Sequence, residues 1–335
     1  MRNFFFCAAG ALGIVVVAFI IWIWSYTTSV SPGSGRVLVE VPKGSGVRAI
    51  GTLLAKKQLL RNDIRFLLLS RFSGIGKRLK AGEYEIAYGL TPLEVLQVLE
   101  SGKIFYHSVT LPEGQTLVQI ADIFARDGWV NRDRFIALAN DSVFAETLGV
   151  QQKNLEGYLF PDTYFLARGA IDEKAILKIL VKRFFAAVDT LPLERQPNFD
   201  LHQLITLASI IEKETGAAQE RPLIARVFLN RLAKKMRLQS DPTVIYGITD
   251  FNGDITKKDL RTLTAYNTYV IKGLPPGPIC NPGLESMKAV LEPAESGALY
   301  FVSQNNGTHV FSQTLREHNR AVRKYQKKAN SENKQ

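Results

Sequence analysis

No charged residue occurs between Asn3 and Gly35 of this chain, and Phe4 to Trp24 is almost continuously apolar. As a helix, a run of that length spans about 32 Å, the thickness of a bilayer's hydrocarbon core. Trp22, Trp24 and Tyr26 close it in the manner of an interfacial aromatic belt. The rival is a cleaved signal peptide, whose apolar core is shorter and leads into a small-x-small cleavage site. Ile21-Trp22-Ile23-Trp24 is a poor approach to a peptidase. The expectation is a single transmembrane anchor over residues 4–24. Arg2 is the nearest basic side chain, so residues 1–3 stay cytoplasmic and the bulk is exported.

Export narrows both the architecture and the partners. Cys7 lies inside the apolar run and Cys280 is alone beyond it, so no intrachain disulfide can staple the exported part. Its stability must come from a core, for which 46% hydrophobic and 22% charged residues are ordinary material. The net charge of +11 points to an anionic partner. For an exported chain that means anionic lipid or a cell-wall polymer, and nucleic acid is excluded. Part of the excess sits in Arg320, Arg323, Lys324, Lys327 and Lys328, and residues 326–335 read as a basic disordered tail.

Residues 25–35 are a linker of turn formers. Val37, Val39 and Val41 then alternate as a strand, and helices follow from about Val47 and from Asn62-Asp63. Gly82 to Ile86 reads as a second strand. Thr91 and Pro92 cap a helix that stops at Gly102. The chain then repeats at an offset of 70: Val39-Glu40-Val41-Pro42-Lys43-Gly44 aligns with Val109-Thr110-Leu111-Pro112-Glu113-Gly114. Beyond the turns, Ile50 and Leu54 align with Ile120 and Phe124. Residues 36–106 therefore form one small α+β module and residues 107–154 a second strand–helix unit. By its strand–helix–helix–strand order and Pro-x-Gly turn, the first resembles a LysM-type glycan-binding module; a spacer is the alternative. Residues 155–325 make a larger mixed α+β domain, closed by two strands around Asn305-Asn306-Gly307. The fold class is α+β.

The stretch Leu204 to Thr215 carries the chemistry. Leu204, Leu207, Ala208 and Ile211 fall on one helical stripe, which continues to Glu214, while Glu212 lies beside Ser209 and Ile205. A carboxyl at the edge of an apolar face has its charged form disfavoured, which suits a general acid. Glu212 and Lys213 have no assigned role. The four histidines lack metal-ligand spacing, no G-x-S-x-G elbow or phosphate loop occurs, and Cys280 has no motif around it. No cofactor is called for. What remains is carboxylate chemistry in loops rich in Tyr, Asn, Gln and Pro, on a wall glycan. A hydrolase pairs Glu214 with a second carboxylate such as Glu156 or Asp241. A lytic transglycosylase manages with one, which protonates the leaving oxygen and then takes the proton of the sugar's own C6 hydroxyl. A noncatalytic wall-binding scaffold is the reading from another class.

Ala208 to Thr215, Glu220-Arg221, Phe228 to Leu232, Leu238 to Gly247, Tyr266 to Tyr269 and Gly273 to Gly277 resemble the endolytic murein transglycosylases (the MltG/YceG-like family). The likeness extends to the anchor, the LysM-like module and the motif Glu156 to Tyr164. It implies an inner-membrane enzyme with its catalytic domain in the periplasm. It would cut nascent peptidoglycan strands between MurNAc and GlcNAc near their synthases, leaving 1,6-anhydro ends. The family's catalytic Glu falls on Glu214. Gln239, Asp241, Tyr246, Asn267 and Tyr269 are the expected substrate-binding groove, although Asp241 could equally cap a turn at Pro242 and Tyr246 could be core.

Overall fold

The computed structural model describes residues 2–168, 171–195, 199–249 and 251–332, with residues before Gly13, Arg195 and residues after Gln326 described as backbone only. Two compact units result. The first is built from residues up to Val109 and Tyr164–Ile171, the second from Thr110–Thr163 and from Asp172 onward.

In unit 1, helix α1 covers Arg2–Thr27. Among the described residues no helix is long and apolar enough to cross a membrane, and of the span expected at 4–24 residues 4–12 are described as backbone only. From Ile14 to Trp24 the apolar side chains of α1 are largely exposed, whereas Tyr26 is buried and its hydroxyl donates to Arg61 O at 2.7 Å. Strand β1 (Arg36–Val41) pairs antiparallel with β2 (Gly82–Ala87), in register from Arg36↔Ala87 to Val41↔Gly82. Between them run α2 (Val47–Lys56) and α3 (Ile64–Phe72), and α4 (Pro92–Ser101) follows. Val39, Val41, Ile50, Leu54, Phe66, Tyr84, Ile86 and Leu96 pack into one core. Thr91 caps α4 in a reciprocal box with Glu94, and Gly102 ends it in the left-handed conformation at φ +70°. A short second sheet pairs β3 (His107–Thr110) with β4 (Thr163–Leu166).

Unit 2 contains α5 (Leu117–Arg126), α6 (Arg132–Ala139), α7 (Ser142–Thr147) and α8 (Glu173–Val188). The repeat is structural: α2 and α5 start and stop 70 residues apart. Leu59 N–H bonds Leu54 O after the first, as Trp129 N–H bonds Phe124 O after the second.

The centre of unit 2 is α9 (Leu201–Glu214), opened by a capping box between Asp200 and Gln203 and closed where Thr215 turns extended. Every residue from Leu204 to Ile211 is buried. This corrects the single apolar stripe. The helix is surrounded, by α10 (Arg221–Ala233), α11 (Asp241–Tyr246) and α12 (Leu284–Leu291), so Ile205, Ser209 and Ile210 face packing partners too. Polar Ser209 is tolerated because its hydroxyl donates to Thr206 O and accepts from Ile279 N–H. The hairpin of β5 (Tyr300–Ser303) and β6 (His309–Ser312) forms as expected, and α13 (Leu315–Glu332) packs on it. Helix α13 extends into the segment 326–335 expected as a tail; residues 333–335 lie outside the described residues.

Candidate active site

Glu214 is the last residue of α9 and reaches the wall of a groove of about 520 Å³. Gln239, Asp241, Tyr269, Arg231, Tyr300 and His309 line the same groove. Two larger hollows, of about 640 and 710 Å³, occur in unit 1, and neither contains a carboxylate. Burial pushes the Glu214 carboxyl up to about 7, and the charge of Asp241 adds to the rise. A hydrogen bond donated by the Ser240 hydroxyl and the positive charge of Arg231 oppose it.

Ser240 is held where it can donate. It is buried, its N–H bonds Thr268 Oγ1 at 3.0 Å, and its carbonyl accepts from Thr243 Oγ1 at 2.7 Å. Thr243 and Thr268 share a further hydroxyl contact at 2.8 Å, so buried hydroxyls clasp the 238–247 and 264–269 segments together. Gln239, just before Ser240, sits at φ +51°, a strained conformation for a side-chain-bearing residue. Tyr269 donates its hydroxyl to Asp241 Oδ1 at 2.6 Å across the groove.

Of the five expected groove residues, Gln239, Asp241 and Tyr269 therefore share the groove with Glu214. Tyr246 and Asn267 are not among its lining residues. Tyr246 donates to Glu156 Oε2 at 3.1 Å and packs on Tyr266. Asn267 is fully buried, its amide donating to Asp259 O and Thr262 O, so it shapes the loop behind the groove and has no face left for a ligand. Glu156, a candidate second carboxylate, is 4% exposed and accepts from Leu117 N–H, Asn281 Nδ2 and Tyr246. Burial pushes it up to about 7 as well, but it works as an anchor for the start of α5 and does not line the groove. The aromatics Tyr158, Phe160 and Tyr164 of the same motif are buried in the core. Cys280 is fully buried, with its thiol pushed well up by burial and directed at Ser209 O, which removes it as a nucleophile.

Glu212 acquires a role from the structure. Its side chain is 5% exposed and accepts from Arg221 Nη2 at 3.0 Å and from Gly283 N–H at 2.9 Å. The same Nη2 donates to Glu113 Oε2 at 3.2 Å, and Lys213 Nζ donates to Gly114 O at 3.3 Å. The triplet thus braces the helix end with its first two residues and presents the third to the groove.

Comparison with known proteins gives the family. The profile of the YceG-like family matches residues 39–324. The chain belongs to that family. A protein of Bacillus subtilis (strain 168) named endolytic murein transglycosylase is 37% identical over 305 residues, covering 86% of this chain and 84% of that one. A protein of the same name from Streptococcus pneumoniae (strain R6) is 30% identical over 323 residues, with 85% of this chain matched to 58% of its length. The crystal structure of the yceG-like protein lmo1499 from Listeria monocytogenes superposes with a TM-score of 0.59 at 35% identity, covering 86% of this chain and 99% of that one.

Within this YceG-like domain, sequence reasoning misses Ser240, Arg231 and His309. Arg231 is a buried arginine whose Nε and Nη1 donate to Leu299 O and Leu238 O at 2.7 and 2.5 Å, tying the hairpin and the Gln239 loop to α10. Its guanidinium lies over the Tyr300 ring, 5.3 Å from the centroid. Its one visible signal is a charged residue inside the apolar helix Val227 to Leu232.

Proposed function

We propose that this protein is a membrane-anchored lytic transglycosylase, cutting peptidoglycan strands internally between MurNAc and GlcNAc. The observation that carries the reading is Glu214: one carboxyl at a helix end, in a groove, pushed up to about 7 by burial. At neutral pH such a group is partly protonated and can act in both directions. As acid it gives its proton to the glycosidic oxygen while the C1–O bond breaks. As carboxylate it takes the proton of the C6 hydroxyl while that oxygen bonds C1. Glu214 ends as it began, and the product carries a 1,6-anhydro ring with no water added. The names of the Bacillus and Streptococcus relatives support this substrate and reaction.

The exposed apolar side chains of α1 from Ile14 to Trp24 support an anchor in the inner membrane, with the catalytic domain in the periplasm and the synthases that extrude nascent strands as neighbours. The strand–helix–helix–strand order of unit 1 supports a LysM-like module. Glu214→Gln keeps the shape and removes the titrating proton. Cleavage of uncrosslinked strands should fall by roughly 10²–10⁴-fold. Survival of cleavage in this variant would sink the assignment of Glu214 as the acid and base. Mass analysis of the wild-type products decides between one carboxylate and two. Anhydro ends support the proposal, and ends heavier by one water would make Asp241, beside Glu214 in the groove, the second carboxylate of a hydrolase.

A further inference from the structure

His309 opens β6, on the hairpin that walls the Glu214 groove. Its ring is fixed from behind. Nδ1 lies 2.7 Å from Glu220 Oε2, and the His309 backbone N–H donates to Glu220 Oε1 at 2.8 Å. Glu220 is buried at the turn between α9 and α10, six residues past Glu214 in sequence, and Phe301 meets the imidazole edge-on at 5.4 Å. One carboxylate therefore grips both the main chain and the ring of the same residue. A carboxylate on Nδ1 fixes the tautomer: the proton sits on Nδ1, and Nε2 is left as an acceptor. Among the described residues Nε2 makes no hydrogen bond, and the side chain that carries it lines the groove.

We infer that His309, oriented by Glu220, is a substrate-contacting residue whose Nε2 accepts a hydrogen bond from a hydroxyl of the sugar on which Glu214 acts. The inference rests on the transglycosylase reading. It supplies something that reading needs. In an open groove, water and the C6 hydroxyl compete for the same C1 as the leaving oxygen departs with the Glu214 proton. If the C6 oxygen bonds C1, its proton goes to Glu214 and the ring closes. If a water oxygen bonds C1, a water proton goes to Glu214 and the product gains one water. His309 takes no proton in either course. By holding the sugar it keeps the internal hydroxyl in place and water out of line.

The test uses the full-length protein in detergent and uncrosslinked glycan strands, with rates and product masses measured for wild type, His309→Gln, Glu220→Gln and Glu214→Gln. His309→Gln should lower kcat/KM by roughly tenfold, the loss of about one hydrogen bond to substrate. The share of products carrying an added water should rise above wild type. Glu220→Gln should move both readouts the same way and less, since its amide oxygen still accepts the His309 N–H but no longer fixes the tautomer. A folded His309→Gln with wild-type kcat/KM overturns the inference. So does one that loses rate in step with melting temperature while its products stay anhydro, because that is a packing role. Should His309→Gln not fold, an unaltered product ratio and KM in Glu220→Gln overturns it instead. Wild-type cleavage by Glu214→Gln would place the failure in the transglycosylase reading itself.

Discussion

The chain uses one turn twice and for different ends. Pro42-Lys43-Gly44 leads into α2, and Pro112-Glu113-Gly114 leads into α5, with both glycines left-handed at φ +81° and +76°. Around Gly44 there is open space. Gly114 is buried, its N–H bonds Asn281 O at 3.0 Å, and its missing side chain would meet Glu212 Cγ at 3.5 Å. The first turn carries Lys43 where the second carries Glu113, which reaches Arg221 and through it Glu212. The start of α2 has no side-chain cap, whereas α5 has a Thr116–Gln119 capping box and the Glu156 carboxylate on Leu117 N–H. A turn that merely reverses the chain needs its glycine and nothing else. The same turn becomes a brace when one side chain changes sign and a buried arginine waits for it.

Removing the arginine breaks the contrast most severely. Arg221→Met leaves Glu212 buried and unpaired, and urea unfolding should show a loss of about 3 kcal/mol, with glycan cleavage falling as the helix end loosens. An unchanged midpoint would mean that the brace carries no energy. Comparable in size is the pH dependence of the braced carboxyl. The folded Glu214 carboxyl lies at about 7 against an ordinary 4.5, so the native state holds more protons than the unfolded chain between those values. Stability therefore falls as pH rises from about 4.5 to 7, by up to about 3 kcal/mol from this group. Glu214→Gln should abolish that part of the decline in thermal melts at pH 5 and pH 8. Cleavage by the wild type should weaken as pH climbs past 7 and the acid form is lost.

A smaller effect separates the glycines. Gly44→Ala and Gly114→Ala each force an L side chain into the left-handed region at a cost of about 1 kcal/mol. Only the second should also slow cleavage, because the strain there falls on a turn bonded to Asn281 O and to Lys213 Nζ beside Glu214. Equal activity in the two variants would show that the second turn is no more coupled to the catalytic helix than the first. Smallest of all is Lys43→Glu, which copies the second turn's residue into the first. On this exposed site it should shift the melting midpoint by the equivalent of less than about 0.5 kcal/mol.

Legibility in the sequence divides along the same line, between local and distant contacts. The caps of α4 at Thr91 and Gly102, the β5–β6 hairpin around Asn305-Asn306-Gly307 and the offset-70 repeat are all fixed by neighbours within a few residues, and periodicity reports those. The stripe through Leu204, Leu207 and Ile211 points at Glu214 without revealing that α9 is buried all round, since three helices cover it at once. The brace is invisible in the sequence because Glu113 and Arg221 stand 108 residues apart, and Glu220 and His309 stand 89 apart. Composition draws Tyr246 and Asn267 into the groove, whereas the structure turns Tyr246 toward Glu156 and Asn267 toward its own loop. Polar and aromatic loop residues look alike whether they face a ligand or bond their own loop, as Asn267 does with Asp259 O and Thr262 O.

The clasp of Ser240, Thr243 and Thr268 has a consequence for how fast the site can cycle. Ser240 is held through its backbone, so rotation of its hydroxyl proton beside Glu214 needs no movement of the main chain. That rotation suffices for both states: the hydroxyl donates when Glu214 is a carboxylate and accepts when Glu214 carries the proton. A carboxyl that must change charge twice per turnover therefore has a partner that answers without any heavy atom moving, and the surroundings need almost no reorganisation between the two halves of the reaction.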